Sequence, residues 1–305
     1  MSAKNDVESE SDEVMSRCAS CGTTENDDVK LKKCTACYLV RYCGVKCQKE
    51  HWKKHKKECR KRAAELRDEL LFKQPESSHE GDCPICCLPL PLDVGKATMM
   101  HCCSKLICHG CYHANLKREK EERLQHECPF CRHSRPESQA EGEKMLMKRV
   151  EANDPAALRQ LGTIRLKEAG DYKAAFKYWT KAAELGDTEA HHQLSVMYAK
   201  GDGVEKDKKK EVYHREQAAI GGHTLARCFL GVFEFTNGRL DRAIRHLIIA
   251  ANLGDHDSME HLEEWYRDGL VNKDDFDSTL RAYQVAADAM KSPQRETADV
   301  EYGTL

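Results

Sequence analysis

No stretch of this 305-residue sequence approaches the ~18 consecutive apolar residues that a bilayer-spanning helix needs, and the apolar run from Leu247 to Ala251 falls far short. The opening residues include Asp6, Glu8, Glu10, Asp12 and Glu13 around no apolar core, so no secretory signal is expected. An excess of either charge is also missing. The 49 Lys and Arg face 51 Asp and Glu, and a formal charge of -2 points neither to nucleic acid nor to an acidic membrane as partner. Cysteine is nearly absent beyond residue 131, where Cys228 stands alone.

The other sixteen of the 17 cysteines lie between Cys18 and Cys131. So dense a cluster means disulfides or metal. With no secretory signal the expected setting is a reducing one, cytoplasmic and/or nuclear, where disulfides are rare. The spacing agrees with metal. Cys18/Cys21, Cys34/Cys37, Cys83/Cys86, Cys108/Cys111 and Cys128/Cys131 are each separated by two residues. That spacing forms a tight knuckle which aims both sulfurs at one tetrahedral zinc ion.

Composition divides the chain. Residues 1–17 read as a disordered acidic tail, 18–59 hold the first cysteine cluster, and 60–82 form a charged helix, with Leu66, Leu70 and Leu71 on one face, and a linker. Residues 83–132 hold the second cluster, 133–149 form a polar linker, 150–290 show helical periodicity, and 291–305 are a tail. The fold class is therefore mainly α, with two small zinc modules followed by a helical array.

That array repeats. Ala182-Ala183, Ala218-Ala219, Ala250-Ala251 and Ala286-Ala287 recur in step with Leu161, Leu194, Leu230 and Leu262. One unit is two helices, the first carrying Leu and the second the Ala pair. Ala pairs allow close helix approach, as do Gly162 and Gly231 on the first helices, and Gly186, Gly221-Gly222 and Gly254 act as stops. Such a unit cannot bury its apolar face alone, so about four pairs must stack into a solenoid. Cys228 reads as small core filling. Lys181-Ala182-Ala183-Glu184-Leu185-Gly186 and the loop Gly201-Asp202-Gly203-Val204 resemble Sel-like repeats, relatives of the tetratricopeptide family. The resemblance implies scaffolding, with a concave face that binds proteins, and no chemistry.

The first cluster offers Cys18, Cys21, Cys34, Cys37, Cys43, Cys47, His55 and Cys59, eight ligands for two tetrahedral ions. His51 competes as the imidazole, but His55 lies one turn from Cys59 and so can share an ion with it. The run from Tyr42 through Gln48, His51, Trp52 and His55 to Cys59 resembles a MYND finger at every landmark. The resemblance implies interleaved sites: Cys18, Cys21, Cys43 and Cys47 at one ion, and Cys34, Cys37, His55 and Cys59 at the other. It also implies that Gln48 and Trp52 line a groove for proline-containing peptides, whose extended conformation is already ordered. Packing of Trp52 on the zinc loops is the other reading of that residue. From Lys46 to Lys73 eleven Lys or Arg meet five Asp or Glu. This excess offsets the negative field of seven thiolates on two zinc ions, and no recognition pattern for nucleic acid accompanies it.

In the second cluster Cys83 and Cys86 open, Cys128 and Cys131 close, and His101, Cys102, Cys103, Cys108 and Cys111 lie between. This order resembles a RING finger, with Lys105 standing where the usual histidine would be. Cys103 supplies one middle ligand and Cys102 or His101 the other. The count of eight cysteines favours Cys102, while alternation along an extended chain favours His101. The interleaved scheme gives Cys83, Cys86, Cys108 and Cys111 to one ion and Cys102, Cys103, Cys128 and Cys131 to the other, four zinc ions in all. Cys87 is left over, and His109 and His113 read as surface residues. Ubiquitin-ligase RING fingers carry an apolar residue in the first knuckle and a proline in the last, which dock a ubiquitin-conjugating enzyme. A basic residue after the final cysteine holds the thioester ready. Ile85, Pro129 and Arg132 occupy those places.

The sequence thus describes a zinc-binding intracellular scaffold recruiting proteins through the MYND groove and the solenoid. Whether it is an enzyme stays open between a RING-type ubiquitin-protein transferase, which acts by positioning without a catalytic nucleophile, and a non-catalytic adaptor. A lysine methyltransferase, another setting for MYND fingers, finds no segment here, because repeats account for the rest of the chain.

Overall fold

The structure, a computed structural model, describes residues 17–302 and divides into two compact units between Lys73 and Gln74. The acidic segment before Arg17 therefore lies outside the described residues.

In the first unit, strands β1 (Lys32–Lys33) and β2 (Arg41–Tyr42) pair antiparallel, Lys32 opposite Tyr42. Helix α1 then runs unbroken from Val45 to Leu71, so the segment after Cys59 continues the helix that carries His55 and Cys59. Both of these residues are buried near its middle, in a core of Cys18, Cys34 and Cys37 with only Leu31 and Tyr42 as larger members. So small an apolar core supplies little folding energy of its own.

The second unit opens with an antiparallel hairpin of β3 (Ala97–Met100) and β4 (Lys105–Cys108), Ala97 opposite Cys108. Its turn places Ser104 at φ 56° and bonds Ser104 N–H to the Met100 carbonyl at 2.8 Å. Helix α2 (His109–Glu122) follows directly. Ile107, Leu90 and Met100 make a small core with the cysteines. The stretch expected as a polar linker over 133–149 instead contains helix α3 (Gln139–Glu151). Side-chain capping of its first turn explains this: Ser138 accepts the Glu141 N–H at 3.2 Å, and the Glu141 carboxylate accepts the Glu137 N–H at 2.9 Å. Leu146 and Val150 of α3 join the core of the first repeat and close that end of the array.

Four helix pairs follow: α4 (Pro155–Ala169) with α5 (Tyr172–Glu184), and α6 (Thr188–Lys200) with α7 (Lys208–Ile220). Then come α8 (Thr224–Thr236) with α9 (Leu240–Ala251), and α10 (His256–Arg267) with α11 (Lys273–Ala289). Leu161, Leu194, Leu230 and Leu262 are buried, as are the first three Ala pairs, whereas Ala286 and Ala287 are half-buried in the end unit. Each first helix opens on a side-chain cap, from Asp154, Asp187, His223 or Asp255. The close approach expected at Gly231 is visible, since a Cβ there would stand 2.9 Å from Leu247 Cδ2. The segment expected as a tail forms a last helix, α12 (Pro293–Tyr302).

The linker before Cys83 is laid against the solenoid. Gln74 bonds to the Ile249 carbonyl at 3.3 Å and to Asn252 at 3.2 Å, and His79 N–H to the Gly222 carbonyl at 3.2 Å. The His79 ring stacks on His223 at 4.1 Å and faces Glu189 and Glu80. Burial opposes a charge on His79, but the Glu189 and Glu80 carboxylates outweigh it and hold the imidazole up at about 9. A raised imidazole stabilises the fold fully below its ordinary value of 6.5, and the contribution is lost as pH rises through about 9. In urea unfolding with zinc present, His79→Ala should therefore cost about 2 kcal/mol below neutrality. The gap to wild type should close as the pH passes about 9. A gap independent of pH would show that His79 is not charged in the fold.

Candidate metal centres and docking residues

Local geometry favours the thiolate at the leading cysteine of three knuckles. Burial resists ionisation of Cys18 and Cys34, yet backbone N–H groups aimed at each sulfur bring both down to about 6. For Cys18 those groups belong to Cys21, Cys43 and Ser20, and for Cys34 to Cys37 and Ala36. Cys83 falls further, to about 4, through its bond with Cys108 and N–H groups of Cys108, Cys86 and Ile85.

Knuckles far apart in sequence then converge. In the first unit the ligand atoms of Cys18, Cys21, Cys43 and Cys47 lie within 4.8 Å of one another, as do those of Cys34, Cys37, His55 and Cys59. The Cys21–Cys43, Cys43–Cys47 and Cys34–Cys59 sulfurs are 3.6, 3.5 and 3.7 Å apart, and Cys37 Sγ is 3.2 Å from His55 Nε2. A tetrahedral ion with bonds of ~2.3 Å needs sulfurs ~3.8 Å apart, so these donors fit zinc. His51 takes no place in either group and faces the Tyr42 hydroxyl at 3.1 Å.

The second unit repeats the pattern with Cys83, Cys86, Cys108 and Cys111, and with Cys102, Cys103, Cys128 and Cys131. The Cys86–Cys108, Cys103–Cys128 and Cys102–Cys131 sulfurs are 3.8, 3.9 and 3.4 Å apart. His101 faces α3 instead, where a Cβ on Gly142 would stand 2.9 Å from its Nδ1. Adjacent Cys102 and Cys103 can both face one point because they lie in the tight turn between β3 and β4, not in an extended segment. Cys87 is exposed and outside both groups, and Cys228 is buried in the repeat core. His109 and His113 are half-buried rather than on the open surface.

His79, Glu189 and His223 also lie within 4.8 Å of one another. Their chemistry is that of a clasp. His223 Nδ1 accepts the Ala226 N–H as a helix cap at 3.2 Å, so its Nε2 carries the proton and donates to Glu189 at 2.7 Å. The stacked His79 and His223 rings, only 10° from parallel, do not aim two lone pairs at one point.

Of the docking residues, Trp52 is 42% and Ile85 40% exposed, Arg132 is exposed at φ 62°, and Gln48 and Pro129 are half-buried. A side chain not singled out in the sequence is Glu119, buried and joined to Asn115, His126 and Arg135 between α2 and the last knuckle. Another is Arg295 on α12, although Ser292 before Pro293 is a recognisable helix start.

The MYND finger family matches residues 18–59, and the Sel1 repeat family matches 155–187, 188–223 and 228–255. This chain carries a MYND finger and Sel1 repeats. The RING-like part rests on its cysteine clusters. Among curated relatives, DAP3-binding cell death enhancer 1 of Mus musculus is 31% identical over 176 residues, 45% of this chain and 34% of that protein. The chain thus spans about a third of that relative's length. Histone-lysine N-methyltransferase ASHR1 of Arabidopsis thaliana is 53% identical over 45 residues, 15% of this chain and 8% of that protein. A solved Sel1 repeat protein from Oxalobacter formigenes is 28% identical, with a TM-score of 0.44 over 57% of this chain and 71% of that one. The MYND finger and the Sel1 repeats make this a zinc-binding protein-interaction scaffold. Among the described residues no helix is long and apolar enough to cross a membrane.

The middle of the RING-like module offers a sharp test. Cys102→Ser and Cys103→Ser should each remove one zinc ion by elemental analysis, while His101→Ala should keep the full complement. Zinc lost on His101→Ala but kept on Cys102→Ser would reverse the assignment.

Proposed function

We propose that this scaffold binds four zinc ions, two in the MYND finger and two in the RING-like finger, and brings two kinds of protein together. On this reading the MYND finger takes proline-containing peptides against Trp52 and Gln48. The RING-like finger docks a ubiquitin-conjugating enzyme on Ile85 and Pro129, with Arg132 contacting the enzyme once it carries ubiquitin. The zinc ions would supply shape alone, by fixing the knuckles that present these side chains. The protein residues then act by placement. Ile85 and Pro129 give apolar contact area, and Arg132 gives a charged donor that holds the thioester in a reactive pose.

The observation that carries this reading is the exposure of Ile85, at 40%, within a knuckle whose flanking Cys83 and Cys86 belong to a four-sulfur group. An apolar side chain held out by such a rigid loop is suited to meet a partner. The non-catalytic adaptor reading has its own support, because Lys105 replaces the usual RING histidine and α12 packs along α2.

Discharge of ubiquitin from a panel of charged conjugating enzymes onto free lysine separates the two. A ligase should stimulate at least one enzyme. Ile85→Ala should weaken its binding about tenfold or more, the scale of a lost apolar anchor. Arg132→Ala should leave binding nearly unchanged and slow discharge. No binding and no stimulation across the panel would leave the adaptor. Trp52→Ala should abolish binding of proline-containing peptides with zinc content intact, and loss of zinc instead would assign Trp52 to packing.

A further inference from the structure

The C-terminal helix α12 reaches back about two hundred residues to the first knuckle of the RING-like module. Its Arg295 is only 6% exposed. The Nη1 donates to the carbonyls of Pro89 at 2.7 Å and Met290 at 2.6 Å. The Nη2 donates to the Leu88 carbonyl at 3.3 Å and to the Cys86 sulfur at 3.4 Å. Leu88 belongs to the knuckle itself, since its carbonyl accepts the Cys83 N–H at 2.9 Å.

Two further contacts hold the helix there. Gly110, in the first turn of α2, lies so close that a Cβ would stand 3.0 Å from the backbone nitrogen and Cγ of Arg295. A Cβ there would require Arg295 to give way by a few tenths of an ångström. Lys96 Nζ pairs with Asp299 Oδ2 at 2.8 Å, and Ala298 is buried between.

A buried guanidinium surrounded by neutral carbonyls alone would be an uncompensated charge. Here the compensation lies next to it. Four thiolates around one divalent zinc carry a net charge of about -2, and Arg295 touches one of those sulfurs. We infer that Arg295 is an outer-shell residue of the site formed by Cys83, Cys86, Cys108 and Cys111, so that metal occupancy there and docking of residues 293–302 are one coupled equilibrium. The helix completes the module, and loss of the ion releases the C-terminus from α2. This rests on the reading of those four cysteines as a zinc site.

The test uses the full zinc-loaded chain. Elemental analysis counts the ions, transfer to a chromogenic chelator times their release, and hydrogen exchange follows residues 293–302. Outer-shell partners change metal affinity by about 10- to 100-fold. Arg295→Gln should therefore release one ion about tenfold faster or more, leave the others unchanged, and raise exchange in α12. Ala298→Arg, which overfills the buried seam of α12 and lies outside both knuckles, should do the same by displacing α12 and Arg295 with it, and it decides the matter if Arg295→Gln fails to fold. Conversely, Cys86→Ser should expose α12 to exchange while α4 to α10 stay protected. Release at the wild-type rate in both Arg295→Gln and Ala298→Arg would overturn the inference while leaving the zinc count intact. So would unchanged α12 protection in Cys86→Ser. A wild-type chain lacking an ion at this tetrad would overturn both the inference and the zinc reading beneath it; a count of four ions excludes that case, and a lower count that Cys86→Ser does not reduce further identifies it.

Discussion

Convergence of paired cysteines on shared points is the constraint on which the N-terminal half depends. Each pair is local, but each tetrad joins pairs some twenty residues apart: Cys18/Cys21 with Cys43/Cys47, and Cys83/Cys86 with Cys108/Cys111. Interleaving ties the tetrads together, because the chain from Cys21 to Cys43 passes through Cys34 and Cys37 of the other site. Neither loop can settle alone. Among the described residues, the cluster around these cysteines has only Leu31 and Tyr42 as larger buried members to substitute for this. Sulfurs 3.4 to 3.9 Å apart gain little from one another without an ion between them.

The C-terminal half is held by a different force, close contact between helices. Ala182, Ala218 and Ala250 are fully buried, and Trp179 Nε1 would meet a Cβ on Gly162 at 2.7 Å. Small residues at these points let the large ones, Leu161, Leu194, Leu230 and Leu262, fill the space between helices. The two systems are sewn together within the second unit. Gln74 and His79 fasten the linker to the ends of the helix pairs, and Arg295 returns the C-terminus to the first RING-like knuckle. The RING-like module is thus fixed to the repeats on both of its flanks, which favours a scaffold that presents it in one orientation.

The architecture was legible where the signal was periodic or chemical. The joint Leu and Ala ladders fixed the helix pairs, and the cysteine spacings marked the knuckles that the fold brings together. What escaped was carried by single capping residues. Ser138 with Glu141, and Ser292 before Pro293, each start a helix in a stretch whose composition reads as linker or tail. Charge and polarity mask those local signals in the sequence, while in the fold the caps form and Leu146 and Arg295 are buried on the helices they start. The choice between His101 and Cys102 was illegible for a geometric reason. Alternation applies to an extended strand, and these residues sit in a turn. Contacts such as His79 with Glu189 and His223 join residues over a hundred positions apart, which no local pattern reveals.

X-ray absorption at the zinc edge tests the central claim most directly, because it reads metal count and donor identity in one sample. Four ions held by three all-cysteine tetrads and one with His55 would have fifteen sulfur donors to one nitrogen. The expected spectrum is therefore dominated by sulfur at ~2.3 Å, with a nitrogen share too small to form a separate shell. A sample holding two ions, or a first shell with nitrogen or oxygen as a major component, would contradict the doubly interleaved arrangement.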